Sequence, residues 1–150
     1  MDGGEPVGGR WNFDADNREV PPPGHVFPAI PRFAPDPETK RVMRIVEREF
    51  PDHFGTLDGF AWPVTRADAE RFRDDFLDHR LDLFGPYEDA IVRGERALYH
   101  SLLSPMLNLG LLAPLDLCTR AEERWREGTA RLASVEGFVR QIVEIGRAHV

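Results

Sequence analysis

One cysteine, Cys118, stands in the 150 residues. No intrachain disulfide can close, and no multi-cysteine metal or cluster site can be assembled from this chain. Met1 is followed by Asp-Gly-Gly-Glu, without the basic start and apolar core of a signal peptide. No run approaches the ~18 apolar residues of a membrane span. The most apolar stretch, Leu102 to Leu115, is interrupted by Ser104, Pro105, Asn108 and Pro114. A cytoplasmic protein without a membrane partner is the expectation. Excess basic charge is lacking too: 26 Asp and Glu face 19 Lys and Arg, and a net charge of -7 opposes non-specific attraction to nucleic-acid phosphates or an anionic bilayer. Any DNA contact must therefore be local. Sustained period-two alternation and internal repeats are also missing, which argues against a sheet or a solenoid. What remains is 41% hydrophobic and 30% charged, the composition of an ordinary soluble domain. A chain of this length buries about two thirds of its unfolded surface.

The charge is uneven. Met1 to Ala90 holds 19 acids against 11 bases, whereas Ile91 to Val150 holds 7 against 8. The prolines are uneven as well: Pro21, Pro22, Pro23, Pro28, Pro31, Pro35 and Pro37 fall within 17 residues, where they remove amide donors and favour extended backbone. This reads as a linker, preceded by an ordered loop over Gly8–Arg18. Beyond it five helices are predicted. The first is capped by Asp36 with Pro37 at its first position, carries Val42, Ile45 and Val46 on one face, and ends near Phe50-Pro51. The second opens with the capping box Thr65-Arg66-Ala67-Asp68, continues through Ala69, Phe72, Phe76 and Arg80, and stops at Gly85-Pro86. A third carries Leu98, Leu102, Leu103, Met106 and Leu107 before Gly110. A fourth runs from Pro114 through Leu117, Cys118, Ala121 and Trp125 to Gly128. A fifth is capped by Ser134, with Val135, Phe138, Val139 and Ile142 inward. The fold class is all-α.

Three sets of residues could carry chemistry. Asp74, Asp75, Asp78, His79 and Asp82 could bind a hard cation, or form a solvated helix face paired with arginines. His25 and His53 sit beside prolines without a second ligand at metal spacing. Tyr99-His100-Ser101-Leu102-Leu103-Ser104 places hydroxyl and imidazole groups ahead of an apolar helix, where free amides and hydroxyls suit a phosphate; the alternative is that Ser101 and Ser104 are helix caps. Trp11 with Asn12 and Asp14 could stack on a planar ligand, or anchor its own loop.

Seven blocks in order give a more specific signal: Gly8–Asp14, the proline linker, Phe50–Gly55, Trp62–Arg66, Phe84–Ala90, Leu98–Ser101 and Ser134–Phe138. Together they resemble the bacterial cryptochrome and photolyase family that carries an iron–sulfur cluster, across nearly everything from Gly8 to about Val143. The resemblance implies a two-domain flavoprotein with an α/β antenna domain and a helical domain holding FAD. This sequence is similar only to the middle. Residues 1–36 would be interdomain loop and proline-rich linker, and residues 37–144 the first part of an incomplete C-terminal helical FAD-binding domain.

The same resemblance implies FAD contacts at Tyr87, His100, Ser101, Leu102, Leu103 and Ser104, with Gln141 added from the helix that approaches the flavin. Met106 stands where the family's phosphate-binding segment has tyrosine, and His100 where many photolyases have threonine. No catalytic residue and no metal ligand is carried over. A 4Fe-4S cluster and a lumazine-type antenna are implied for the complete protein, but their ligands lie outside these residues, and Cys118 lies too early to match. The implied activity is light-driven repair of UV-damaged DNA, with (6-4) photoproducts favoured over cyclobutane dimers, and no protein partner is implied. The alternatives are a cryptochrome-type light sensor without repair and a cofactor-free helical interaction module. The chain alone is expected to be inert and poorly folded, exposing apolar surface around Leu102, Leu107, Phe138 and Ile142. The closing Ile-Gly-Arg-Ala-His-Val can be encoded by an in-frame sequencing-library adapter, so residues 145–150 are expected to be non-native.

Overall fold

The structure, a computed structural model, describes residues 4–145. It is helical, with no strand among the described residues. Asp36 caps α1 (Pro37–Glu49), its carboxylate accepting from the Thr39 amide at 2.7 Å, while Pro37 sits where its missing N–H costs nothing. The Thr65 hydroxyl accepts from the Asp68 amide at 3.1 Å and donates to the Asp68 carboxylate at 2.9 Å, which starts α2 (Arg66–His79) as the capping box predicts. α5 (Pro114–Arg126) begins at a proline and is followed by Gly128 at φ 76°. That left-handed position suits glycine; its own amide closes on the Trp125 carbonyl, and the next two amides close on the Arg124 carbonyl. α6 (Leu132–Arg140) runs on into a π-helical turn, Gln141–Ile145.

Three expectations are corrected. The second helix does not reach Gly85: the backbone turns at Arg80, and a separate short α3 (Leu81–Phe84) follows. The long third helix is absent, and only α4 (Ser104–Asn108) forms. Leu98 and Leu102 have φ of 45° and 58°, outside the helical region, and Pro105 lacks the N–H that a helix begun earlier would need. Ser134 does not cap the last helix, which starts at Leu132 with Arg131 in the cap position. It lies inside the first turn, where its buried hydroxyl donates to the Asp82 carbonyl at 2.6 Å and accepts from the Gly85 amide at 3.0 Å.

The core sits where α2, α3, α5 and α6 converge. Phe72, Phe76, Phe84, Leu103, Met106, Leu117 and Phe138 are essentially sealed from water. Phe76, Phe84 and Phe138 meet edge-on or tilted, with centroids 4.8 to 6.1 Å apart. Phe138 is thus buried rather than part of an exposed apolar surface. Open apolar positions include Leu109, Leu115, Phe54 and the α1 face at Val42 and Val46.

Arg80 is the largest side chain in this core, with no exposed surface. One guanidinium nitrogen donates to the His100 carbonyl at 2.8 Å and another to Asp75 at 3.0 Å, while the rings of Phe72 and Phe76 flank it at about 5.5 Å. Burial lowers its pKa, against the pull of Asp75.

Candidate functional site

A cavity of about 670 Å³ opens between the segment leading into α4, the first turns of α5 and the end of α6. The volume is that of a small-molecule site. Leu103, Leu107 and Phe138 give it an apolar wall; Ser101, Ser104, Asn108 and Gln141 supply hydroxyl and amide groups; Cys118 lies at the α5 side. Local geometry explains how hydroxyls reach it. The left-handed residues Leu98 and Leu102 turn the chain twice on either side of Tyr99–Ser101. Arg80 then holds the His100 carbonyl from inside the core, leaving Ser101 half-buried at the rim. Such strained backbone, fixed by surrounding structure, is characteristic of binding segments.

Of the residues named from sequence, Ser101, Leu103, Ser104 and Gln141 are brought together on this cavity. Leu102 packs on the core instead. The His100 ring lies edge-on to Phe84 with centroids 6.4 Å apart, and burial lowers its pKa against the opposing charge of Asp89. Tyr87 belongs to a different cluster. It stacks on Tyr99 at 5.5 Å, while the His25 Nε2 lies 2.9 Å from the Tyr99 hydroxyl and Phe27 closes the edge. That cluster ties the proline-rich segment to the helices.

The helix-terminus argument for this segment does not survive, because α4 spans five residues and has no side-chain cap. Its hydroxyls and the turn around them are what a ligand would meet. Trp11 is 70% exposed, and the buried anchor of its loop is Phe13, with Arg10 over the ring at 4.5 Å. Asn12 accepts from the Asp14 amide at 2.7 Å. The aspartate run on α2 and α3 is matched by arginines: Asp74 with Arg73, Asp75 with Arg80, Asp78 with Arg124 and Asp82 with Arg131, at 2.7 to 3.0 Å. Three of those four arginines lie on another element or outside any helix. No His, Cys, Asp and Glu grouping suited to a metal occurs among the described residues.

Residues 1–62 match the family described as Deoxyribodipyrimidine photo-lyase-related protein. Over 143 residues, 95% of this chain, the sequence is 52% identical to a (6-4) photolyase of Agrobacterium fabrum. The chain is thus similar to photolyase-related proteins along nearly its whole length. The aligned part is 28% of that relative. A second relative, an uncharacterised protein of Acanthamoeba polyphaga mimivirus, is 40% identical over 58 residues, 38% of this chain and 45% of its own. The aligned parts therefore cover less than half of either relative. The expected non-native tail lies, apart from Ile145, outside the described residues. No described helix is long and apolar enough to cross a membrane.

The cofactors that the likeness to photolyases raises are FAD and a 4Fe-4S cluster. Serine hydroxyls and side-chain amides on an apolar wall fit the sugar and phosphate portion of FAD. No arginine or lysine lines the cavity, so nothing in its described lining neutralises a diphosphate. A 4Fe-4S cluster does not fit, since one cysteine, its thiol pKa raised by burial, cannot supply four thiolates. Sequence reasoning missed Asn108 and the core arginine behind the segment. Asn108 lay inside a segment read as helical, and Arg80, although placed at helical spacing with Phe72 and Phe76, carried no sign of its contact with the His100 carbonyl.

Proposed function

We propose that these residues form one wall of the FAD site in a photolyase-type flavoprotein, and that the complete protein repairs UV-induced pyrimidine dimers, with (6-4) photoproducts favoured. The observation that carries the reading is the cavity where Ser101 and Ser104 meet Gln141, in a chain 52% identical to a (6-4) photolyase. With FAD bound, the serine hydroxyls would donate to phosphate oxygens, the Gln141 amide would hold the ring-bearing end, and Leu103, Leu107 and Phe138 would keep water from that wall. Reduced FAD, when bound, supplies the light-driven electron that such repair requires. The damaged bases must leave the stack to reach it. With an acidic first 90 residues, DNA-facing cations and the counter-charge for the diphosphate come from other parts of the protein.

The test is flavin binding by the gene product that carries this segment. It should carry flavin absorbance, and S101A and S104A should each weaken FAD binding by about tenfold, the worth of a hydrogen bond to a charged group. Unchanged affinity in both variants, or a protein still colourless after reconstitution with FAD, rejects the site. A flavin-loaded protein without activity on lesion-bearing DNA assigns the light-sensor alternative.

A further inference from the structure

Residues Phe13–Glu19 dock on a seam between the Gly85–Glu88 turn and α6. Asn17 is 1% exposed, and its amide nitrogen donates to the Ala133 carbonyl at 3.2 Å. The Glu19 amide donates to the Pro86 carbonyl at 2.8 Å. Two glycines make the close approach possible. A Cβ on Gly85 would stand 2.6 Å from Asn17 Oδ1, and one on Gly137 would stand 3.0 Å from Glu88 Oε2 and 3.1 Å from Asn17 Nδ2. The seam is rich in acceptors and poor in donors: Asn17 Oδ1 and Glu88 Oε2 are both buried without a hydrogen-bond partner. A buried unpaired carboxylate is costly, whereas the neutral acid is tolerated and can donate.

We propose that Phe13–Glu19 is a proton-dependent clasp, seated on the Gly85–Glu88 turn and α6 while Glu88 is neutral, and loosened when Glu88 ionises. The surroundings favour the neutral form. Burial first, then the charges of Asp89, Asp14 and Glu136, push the Glu88 carboxyl up to about 7. The nearby charges come from every element at the seam. From the segment there are Asp14 and Asp16, paired with Arg18 and Arg10; from the turn, Asp89; from α6, Glu136 and Arg140. Arg140 is already committed, lying 2.6 Å from Glu136 and reaching the Trp11 carbonyl at 3.4 Å. His100 lies close enough to feel Asp89.

The sign follows from linkage. The docked acid holds its proton more tightly than the released one, which titrates in the ordinary range near ~4.3. Docking is therefore strongest below that range, weakens as pH rises toward about 7, and is level above it. For a site that retains solvent contact, the loss is about tenfold or more.

The experiment is amide hydrogen exchange at Glu19 in the full 150-residue chain, comparing wild type with E88Q at each pH so that intrinsic exchange rates cancel. The ratio of wild-type to E88Q protection should fall about tenfold between pH ~4.5 and ~7.5 and then stay flat. A pH-independent ratio, or a Glu19 amide unprotected at every pH, overturns the clasp. Should E88Q not fold, D14N decides with the wild type: removing one repelling charge must move the midpoint to lower pH, and an unmoved midpoint overturns the proposal.

Discussion

Replacing Arg80 with methionine tests whether the core and the candidate site are coupled. The side chain has no exposed surface, and its fork joins the His100 carbonyl at 2.8 Å to Asp75 at 3.0 Å. Methionine keeps much of the volume between Phe72 and Phe76 but strands both acceptors. An unmet buried carbonyl costs ~1–3 kcal/mol, and breaking a buried ion pair by removing one partner costs ~3–5 kcal/mol. The Asp75 side chain is 23% exposed and recovers some hydration, so the lower end applies. R80M should lose about 3 kcal/mol, or roughly 6–12 °C in Tm for a domain of this size. Urea denaturation with an unchanged m-value is the assay. Adding D75N removes the stranded charge and should return about 1 kcal/mol, whereas lysine, a point charge without a fork, should rescue only one of the two contacts. An R80M loss below ~1 kcal/mol, or a D75N change that deepens it, would refute the account.

Two other changes test the packing and the titration. G85A forces a Cβ to 2.6 Å from Asn17 Oδ1, 2.7 Å from Ser134 Oγ and 2.8 Å from the Ser134 Cα. The last contact is backbone and cannot swing away, so thermal melts should show a loss of more than ~2 kcal/mol; a near-neutral melt contradicts the close approach. His100, its pKa lowered by burial, is neutral in the fold, so its contribution to stability is complete above the unfolded value near ~6.5 and drains away as pH falls below it. H100N keeps the backbone carbonyl that Arg80 holds and should lose less stability than wild type between pH ~7.5 and ~5. Glu88 drives stability the opposite way, so the comparison is read between the two proteins; parallel pH curves would exclude the imidazole.

Local signals were legible and long-range ones were not. Asp36-Pro37, Thr65–Asp68 and Pro114 each mark a helix start through contacts within one turn, and α1, α2 and α5 begin where those residues stand. The third helix misled because Leu98 to Leu107 has helical spacing, yet tertiary packing holds Leu98 and Leu102 in a backbone region leucine avoids. The Ser134 hydroxyl was noticed, but its partners are some 50 positions away, at Asp82 and Gly85. Arg80 resembled any helix arginine, since its second acceptor lies 20 residues downstream. At the cavity, the hydroxyls were readable from Ser101 and Ser104, whereas Tyr87 and His100 sit by the aromatic cluster and the core, a separation that only folding creates.

The π-helical turn after α6 sets the register of Gln141–Ile145. A turn closed one residue wider than its neighbours advances the chain by an additional position. A helical wheel drawn from Val135 onward therefore mislabels the faces of Gln141 to Glu144. Treating this stretch as regular α-helix rotates its side chains by about a quarter of a turn from where they stand.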